Sequence, residues 1–582
     1  MSTVVSEPND SAIERRCLGR GTVLGLWILT AIPLFIGLGG PVQRTQEGRV
    51  VETARQMLGR GPEAWLIPSL NGEIRLRKPP LAYWMAAGSF ELFGVSEWTG
   101  RIPTALVSWL TLAATYVIAR RLFGRTAAIV AAACLLSSYL FFLQGRRAET
   151  DAPAALLATI AVDLFWRSVE ADASRDPNAD ALPHVGWAPP TISVEGGQCP
   201  PYAVATSPRL NNPVLLFHLA AAATGLSLFS KQGPGFFPIL FFIGFALARR
   251  QSETLRRFVR SGAPLTLLLV AGWWYGFAAL NRGMAQFLKE LAEVTEGLDH
   301  PAPFYVYFQL TLLAFAPWSF LAGGALVAAI KDARRDPRIA GILIWAAADF
   351  VPLCFVGNKQ IHYLLPLMPA VMILVGWLVS RAADAAAEEK LKGAVWMLMI
   401  ITIIGCIVAP LGFPIAGYVY RGKLLPLDVP LAAGAVALGL PALAMYRKRR
   451  MVGASLALAG AWSLIFIMAL GPWALTIGPA DIRQTAAQIA ARFGNGPYVF
   501  YGGDTSLPLC FALRQEIPRI DDHKPDLLRA AAASEPHLAV IWEIPQHAAP
   551  PQIPPPEFVL DPGDFGAKGQ HFRIYTRPAG PG

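Results

Sequence analysis

The sequence carries little charge for its length of 582 residues. Asp, Glu, Lys and Arg make up only 15% of it, whereas hydrophobic residues make up 54% and the mean hydropathy is +0.42. Because soluble domains carry about 25% charged residues, this composition excludes a soluble protein and predicts an integral membrane protein. The net charge of +10 is then explained by basic cytoplasmic loops and lipid phosphates, and nucleic acid is excluded as a partner.

Sequence motifs for metal and nucleotide binding are also missing. The six cysteines are scattered and include no close CxxC pair, so the sequence predicts neither a disulfide framework nor a zinc site. Residues 478–582 contain no GxGxxG and no P-loop, the two common phosphate-binding turns. We therefore expect no metal and no cofactor.

Apolar runs fill most of residues 1–477, and they predict an all-α polytopic membrane protein with about thirteen spans. The first run, Val23–Leu38, follows three arginines and lacks a clear cleavage site, so an uncleaved span is favoured over a signal peptide. The other runs lie at roughly 103–119, 126–143, 152–166, 213–229, 234–248, 264–280, 306–330, 339–356, 363–380, 394–413, 430–446 and 451–472.

The run Pro80–Val95 decides the topology, because counting it as another span would invert every later loop. Leaving it out places nearly all the basic clusters on the cytoplasmic side, as the positive-inside rule requires. Pro80–Val95 is then predicted to be an amphipathic helix at the outer interface, with Tyr83, Trp84 and Trp98 at headgroup depth. The N-terminus is predicted to be cytoplasmic, and residues 41–102 form a first outer loop.

Two segments differ from the apolar remainder. Residues 167–212 are rich in Pro, Ala, Asp and Ser without periodicity, and they predict a disordered cytoplasmic insertion. Residues 478–582 predict a small α/β domain, because helical spacing at 480–493 and 526–533 alternates with short apolar strands at 498–501 and 538–541. An odd number of spans places this domain outside the membrane.

The predicted outer loops hold an unusual set of charged residues. Basic residues there oppose the positive-inside rule, and binding a phosphate at the membrane surface is one reason for them. Snorkelling of the same side chains to lipid headgroups is the structural alternative. The set includes Glu47 and Lys78 in the first loop, Arg146, Arg147, Glu149 and Asp151 in GRRAETDAP, Lys231 in SKQGPG, and Lys359 and His362 in GNKQIHYLLP.

Several of these motifs resemble one family. QEGRVVETARQML, LNGEIRLRKPPLAYW with its continuation FGVSEWTGRIPTAL, and RRAETD resemble the integral-membrane GT-C glycosyltransferases, above all the aminoarabinose transferase-like and protein O-mannosyltransferase groups. SKQGPG is similar to their Thr-Lys-Gly-Pro turn, HPAPFYVYF to their His-Pro-aromatic loop, and NKQIHYLLPLMPA to their Lys-x-x-x-Tyr-x-Leu-Pro turn. The resemblance covers roughly residues 22–377.

The resemblance implies a transferase in the cytoplasmic membrane that moves a sugar from a polyprenyl-phosphate donor to a lipid or protein acceptor on its outer face. Such a displacement needs cations against the leaving phosphate and a carboxylate that accepts a proton. Lys78, stiffened by two following prolines, matches the family's phosphate-binding lysine. Asp151 matches the acid of the second outer turn, and Glu47 is the other candidate base.

The remaining site residues are assigned from the same motifs. Further contacts to the donor phosphate are expected from Arg77, Arg146, Lys231 and Lys359. Substrate contacts are expected from Tyr83, Trp84, His300, Tyr305, His362 and Tyr363.

Two positions depart from the family pattern. Gln46 stands where relatives carry an aspartate before Glu47, and Arg77 stands where an acid commonly precedes the lysine. The missing aspartate keeps a catalytically inactive scaffold as an alternative. A transporter or flippase for lipid-linked sugars is the other alternative, and it would predict charges within the spans and repeated halves. Asp349 is the only obvious acid within a span, and no internal repeat is evident.

Overall fold

The structure is a computed structural model that describes most of the chain. The described residues are 20–76, 78–173, 212–249, 252–282, 302–384, 389–421, 428–448, 450–470, 481–502, 505–521, 523–535, 537–544, 554–563, 565–567 and 570–577. Arg77, His300 and most of the predicted insertion at 167–212 lie outside them. At the start of that insertion the prediction was wrong, because a helix continues to Ala173.

Helices dominate the described residues as far as Leu470. They are α1 (Arg20–Phe35), α2 (Thr45–Met57), α3 (Pro62–Leu66), α4 (Leu81–Phe93), α5 (Glu97–Leu136), α6 (Tyr139–Gln144), α7 (Asp151–Ala173), α8 (Pro213–Ser230), α9 (Gln232–Gly235), α10 (Phe237–Ala248), α11 (Ser252–Arg260), α12 (Ala263–Arg282), α13 (Val306–Ala314), α14 (Ser319–Asp332), α15 (Pro337–Phe355), α16 (Met368–Ala383), α17 (Glu389–Arg421), α18 (Asp428–Arg447) and α19 (Met451–Leu470). A 3-10 helix, Ile361–Leu367, connects α15 to α16, and a short hairpin of β1 (Ser69–Leu70) and β2 (Glu73–Ile74) lies between α3 and α4.

Six of the described helices are long and apolar enough to cross a membrane. A seventh crossing results if α13 and α14, which meet at an angle of 117°, form one bent span. The helix α5 is interrupted at Gly124, whose φ of 87° favours glycine. Its first part contains the predicted span at 103–119, and its second part together with α6 covers the one at 126–143. The chain is therefore a polytopic, mainly helical membrane protein.

The centre of the helical region is α16, which packs along α5. Of the apolar window that contains α16, 89% is buried inside the protein. A Cβ at Gly376 would come within 2.2 Å of the Ala127 carbonyl oxygen, so glycine is required where these two helices meet. The close approach fixes α5 and α16 as the frame around which the other helices pack.

Polar side chains begin several of these helices by accepting hydrogen bonds from free backbone N–H groups. Before α5, the Ser96 hydroxyl accepts from the Thr99 amide at 3.1 Å, and the Thr99 hydroxyl accepts from the Ser96 amide at 3.0 Å, which forms a capping box. The Asp336 carboxylate accepts from the Arg338 amide at 2.9 Å before α15. These local signals fix where the helices start at the membrane ends.

The predicted helix at Pro80–Val95 exists as α4, but its environment differs from the prediction. Tyr83 is only 1% exposed and accepts a hydrogen bond from Arg75 at 3.1 Å. The Trp84 indole donates to the Trp65 carbonyl at 2.6 Å and stacks against Trp273. The expectation of Tyr83 and Trp84 at headgroup depth was wrong, because both side chains complete the packing of the first loop. Trp98, by contrast, is 47% exposed.

The segment after α19 forms a sheet with helices around it. Its elements are α20 (Ile482–Phe493), β3 (Tyr498–Tyr501), α21 (Leu507–Leu513), β4 (Arg519–Ile520), α22 (Pro525–Ser534), β5 (Ala539–Ile544), β6 (Val559–Leu560), β7 (Phe565–Ala567) and β8 (Gln570–Thr576). The strand order is β4-β3-β5-β8-β6, with β7 also paired to β8. Strands β4, β3 and β5 are parallel and the other pairs antiparallel. The predicted helices and strands coincide closely with α20, β3, α22 and β5, whereas the status of 478–582 as a separate domain stays a prediction.

This C-terminal segment contacts the first loop through α21. The Phe511 ring stacks against Phe90 with centroids 6.2 Å apart, and it belongs to the apolar cluster that α2 and α4 form. A Cβ at Gly48 would meet the Leu507 Cβ at 3.1 Å, so α21 packs closely on α2. The contact matters for the site because the other side of α2 lines the main cavity.

Candidate active site

A cavity of about 670 Å³ lies where α2, the loop before α4, the turn before α7 and the ends of α8 and α15 meet. Four basic and two acidic side chains line it together with apolar residues. The polar lining residues are Gln46, Arg49, Arg75, Lys78, Glu149, Thr150, Asp151, Lys231, Gln232, Asn358, His362 and Tyr363. The cavity thus brings together the first loop and the three turns that carry the RRAETD, SKQGPG and NKQIHY motifs.

Asp151 and Lys231 form an ion pair in the cavity wall. The Lys231 ammonium donates to Asp151 Oδ1 at 2.6 Å, and both side chains are largely buried. Asp151 is the first residue of α7, where the helix dipole favours a negative charge. The Lys231 ammonium also lies 4.4 Å from the centre of the Tyr363 ring. The pair fixes one basic and one acidic group beside each other within a space that is large enough for a ligand.

Lys78 approaches the cavity from the loop between β2 and α4 and remains partly exposed. Burial of this lysine and the charge of the nearby Lys231 together lower its pKa to about 7, although Asp151 opposes the shift. Arg75 and Arg49 add to the same positive field. An anion between these side chains would restore the lysine charge, so the arrangement favours a phosphate-bearing ligand.

Glu149 lines the cavity two residues before Asp151. Its carboxylate is 4% exposed and accepts a hydrogen bond from Arg44 at 3.0 Å through Oε1. Burial raises the pKa of Glu149, Arg44 opposes this shift, and the neighbouring Asp151 raises it again. The cavity therefore contains two carboxylates in different environments, one held by a lysine and one by an arginine.

Glu47, the second candidate base, faces away from the cavity. Both of its oxygens accept from Arg101, at 2.7 and 2.9 Å, and Oε1 also accepts from the Ala148 amide at 3.1 Å. Burial alone would raise the pKa of Glu47, but Arg101 holds it below its usual value. Glu47 therefore joins α2 to α5 and does not line the cavity, and its catalytic role stays a prediction.

Two basic residues that were expected at the donor phosphate are bound elsewhere. Arg146 donates to the carbonyls of Pro33 and Ile36 at the end of α1. Lys359 donates to the Cys354 carbonyl at 3.1 Å and to the Val356 carbonyl at the end of α15. Neither lines the cavity, because each satisfies carbonyl groups that a helix end leaves unpaired.

The predicted substrate contacts divide into three groups. His362 and Tyr363 line the cavity, and their rings meet edge to face with centroids 4.7 Å apart. Tyr83 and Trp84 are absent from its lining, and Tyr305 is 48% exposed at the start of α13, also away from the cavity. Arg77 and His300 lie outside the described residues.

Sequence reasoning did not assign Arg49, Arg75 or Glu149 to the site. Arg49 and Arg75 belong to the basic first loop, and Glu149 belongs to the RRAETD motif that was used to select Asp151. Their positions within those motifs were the available signal. Within the described part of the chain, no three His, Cys, Asp or Glu side chains lie close enough to hold a metal ion.

Comparison with known families gives a partial match. A family described as dolichyl-phosphate-mannose-protein mannosyltransferase matches residues 77–177. This segment contains Lys78, Glu149 and Asp151.

Curated relatives match over longer stretches. An uncharacterized protein of Aquifex aeolicus is 27% identical over 63% of this chain and 65% of its own length. An undecaprenyl phosphate-alpha-4-amino-4-deoxy-L-arabinose arabinosyl transferase of Edwardsiella ictaluri is 23% identical over 69% of this chain and 68% of its own length. One of the same description from Shewanella sediminis is 24% identical over 62% of this chain and 58% of its own length. The chain thus matches about three-fifths to two-thirds of the length of these relatives.

The fold itself is similar to a solved structure along nearly the whole chain. The crystal structure of ArnT from Cupriavidus metallidurans bound to undecaprenyl phosphate has a TM-score of 0.67 at 17% identity, and it covers 97% of this chain and 100% of that one. The apo structure of the same protein gives 0.68 at 16% identity. Together with the family and the relatives, this likeness confirms the resemblance to the GT-C glycosyltransferases that the sequence indicated.

Proposed function

We propose that this chain is a membrane glycosyltransferase that moves a sugar from a polyprenyl-phosphate donor to a lipid or protein acceptor. The observation that carries the proposal is the cavity of about 670 Å³ in which four basic side chains surround two carboxylates. A leaving phosphate gains charge as the bond to the sugar breaks, and positioned cations stabilise that charge. The relatives described as undecaprenyl phosphate-linked arabinosyl transferases support the same class of donor.

The basic residues have separable roles in this proposal. Lys78, Arg75 and Arg49 bind the phosphate of the donor, because all three basic side chains line the cavity. Lys231 completes the positive field and at the same time orients Asp151. His362 and Tyr363 also line the cavity, and they contact the sugar or the acceptor in this proposal.

The membrane topology belongs to the same proposal. About thirteen crossings are obtained when α1, both parts of α5, α7, α8, α10, α12, the α13–α14 pair and α15 to α19 each cross once. The positive-inside rule then places the N-terminus in the cytoplasm and the cavity with residues 478–582 on the outer side. A reporter that is active only in the cytoplasm should be silent when fused after Gly582. Strong activity of that fusion would overturn both the count and the sidedness.

The inactive-scaffold alternative has less support than catalysis. Gln46 lines the cavity in place of the aspartate of relatives, but Glu149 and Asp151 supply carboxylates in the same space.

The transporter alternative predicts charges along the spans. Asp349 is such a charge, because it is 2% exposed and its Oδ2 has no hydrogen-bond partner among the described residues. One acid at a single depth does not form a path, so transfer remains the proposal.

The deciding experiment measures transfer by the purified protein in liposomes from a radiolabelled polyprenyl-phosphate sugar. Lys78→Ala should abolish covalent transfer at normal expression, and Lys78→Arg should retain little, because a planar guanidinium does not replace a compact ammonium. Lys331→Ala, an exposed lysine at the end of α14, is the matched control and should transfer normally. Full transfer by Lys78→Ala would exclude this lysine as the phosphate contact. Movement of the labelled donor across the bilayer without any covalent product would favour the transporter.

A further inference from the structure

We propose that Glu149 is the general base that accepts the proton of the acceptor hydroxyl, an assignment that rests on the proposed transferase function. The family resemblance pointed to Asp151 and Glu47 for this role. The contacts of the three carboxylates near the cavity argue for the third one.

Glu47 and Asp151 are both held by strong partners. Arg101 binds both oxygens of Glu47, and this carboxylate is not part of the cavity lining. Asp151 lines the cavity, but Lys231 donates to it at 2.6 Å. A base must be able to accept a proton without first losing a buried cationic partner, and breaking such a pair is costly.

Glu149 can accept a proton more readily than Glu47 or Asp151, because its cationic partner is less buried. Its Oε1 accepts from Arg44 at 3.0 Å, and the Arg44 side chain is 34% exposed, so water screens the pair. Oε2 accepts no hydrogen bond from any other described residue. It is also not fully buried, because it is absent from the buried polar atoms of the described residues that lack a partner. Since Glu149 lines the cavity, Oε2 is the oxygen available to a hydroxyl bound there.

The electrostatic environment supports the same assignment. Burial raises the pKa of Glu149, Asp151 and Glu47 raise it further, and Arg44 and Arg147 only partly oppose this shift. A carboxylate whose pKa moves toward the operating pH is a more effective base. Glu47 has the opposite shift, since Arg101 holds its pKa down.

The proposed step balances without any further reactant. The acceptor O–H bond breaks and its proton passes to Glu149 Oε2 as the acceptor oxygen forms a bond to the anomeric carbon of the sugar. The bond between that carbon and the phosphate oxygen breaks, and its electron pair stays on the phosphate, beside Lys78. Asp151 is then a positioning residue, because it holds the Lys231 ammonium near the leaving phosphate.

The test compares Glu149→Gln with Glu91→Gln, an exposed glutamate near the end of α4, in the liposome transfer assay. Glu149→Gln should lower kcat by about 10²-fold, a typical contribution of a positioned base, with binding of the donor within about twofold of wild type. Glu91→Gln should behave as wild type. In the wild-type protein kcat should fall as the pH drops through the pKa of Glu149, and this acid limb should be missing from the residual activity of Glu149→Gln.

A second variant keeps the carboxylate and changes only its partner. Arg44→Gln removes a cation that lowers the pKa of Glu149, so the acid limb of kcat should move to higher pH. The proposal is overturned if Glu149→Gln transfers within about threefold of wild type, if its loss is entirely a loss of donor binding, or if the acid limb does not move in Arg44→Gln. Transfer by Glu149→Gln together with none by Lys78→Ala would refute the base and leave the transferase function standing. No transfer by the wild-type protein would refute both.

Discussion

The helix α7 carries a charged cluster at its start and another in its second half, and the two clusters differ in how their charges are matched. At the end away from the cavity, Arg121 of α5 donates to Asp163 and to Glu170 of α7, each at 2.7 Å, and Arg167 also pairs with Asp163 at 2.7 Å. Two arginines there meet two acids. At the cavity end, four basic residues face two acids across a space of about 670 Å³.

The difference supports the proposal that the cluster at the cavity binds the ligand. Both clusters use the same residue types beside aromatic rings, since Trp166 lies under Arg121 and Tyr363 lies under Lys231. Of these two clusters, the one at the cavity holds positive charge in excess of its carboxylates, and this excess adds to the effect of burial in lowering the pKa of Lys78. A charge-matched cluster joins two helices, whereas an unmatched one around an open space binds a compensating anion.

The comparison is tested most strongly at Lys231. Lys231→Met should lower transfer by about 10²-fold or more, because it removes a cation from the leaving group and leaves the buried Asp151 without its partner. The double variant Lys231→Met with Asp151→Asn removes both charges of the pair. It should recover thermal stability but not transfer, as measured by unfolding in detergent beside the liposome assay. Recovery of transfer in the double variant would show that the pair is only structural.

The second prediction concerns the pH dependence of donor binding at the cavity cluster. With a pKa of about 7 in the unliganded protein, Lys78 is charged below that pH and neutral above it. Affinity for a polyprenyl-phosphate sugar, whose phosphodiester keeps its charge, should therefore fall about tenfold between pH 6 and pH 8. Dissociation constants measured across this range should be flat for Lys78→Met. A flat wild-type profile would contradict the depressed pKa.

At the charge-matched end the expected effect concerns stability and not transfer. Arg121→Met leaves Asp163 and Glu170 without their common partner, and since both are partly exposed, the free energy of unfolding should fall by about 1–3 kcal/mol. The KM for the donor should be unchanged. A rise in KM without a loss of thermal stability would mean that this cluster also serves the ligand.

The smallest effect is expected for Gln46→Asp. Gln46 lies in the first turn of α2, where a negative charge is favourable, and it lines the cavity beside Arg49. The variant restores the aspartate of relatives, and its transfer rate should stay within about threefold of wild type. A large gain would show that the amide is the reason for a low natural rate, and a large loss would show that the added charge competes with the donor phosphate.

Much of the fold was predictable from the sequence, because hydrophobic runs indicate the membrane spans and basic loops indicate their orientation. The break at Gly124 and the strand Tyr498–Tyr501 both fall where the pattern predicted them. Lys231 and Asp151 could be brought together because each lies in a short turn between spans. The environment of α4 could not be predicted from the sequence, since a run of apolar residues packs equally well against protein or lipid.

The predicted site residues that do not line the cavity share one physical reason. Arg146 and Lys359 are basic side chains close to the membrane ends, as the sequence shows, but the carbonyl groups of helix ends compete with a ligand for their N–H donors. Which helix end lies within reach depends on packing between distant segments. Glu47 illustrates the same point, because its partner Arg101 is 54 residues away. Sequence alone identifies the charged residues and leaves their partners open.

The packing of α21 on α2 has a consequence for how the protein is made. The Arg55 guanidinium donates to the Arg514 carbonyl at 3.1 Å across 459 residues of chain, and Phe511 fills the apolar cluster behind the cavity wall. At a synthesis rate of about 5–20 residues per second, the first loop waits roughly 20–90 s for this partner. Until then α2, which carries Arg49 in the cavity wall, lacks its packing contact with α21. During synthesis the protein is therefore expected to complete this cavity only when α21 has been translated and has packed onto α2.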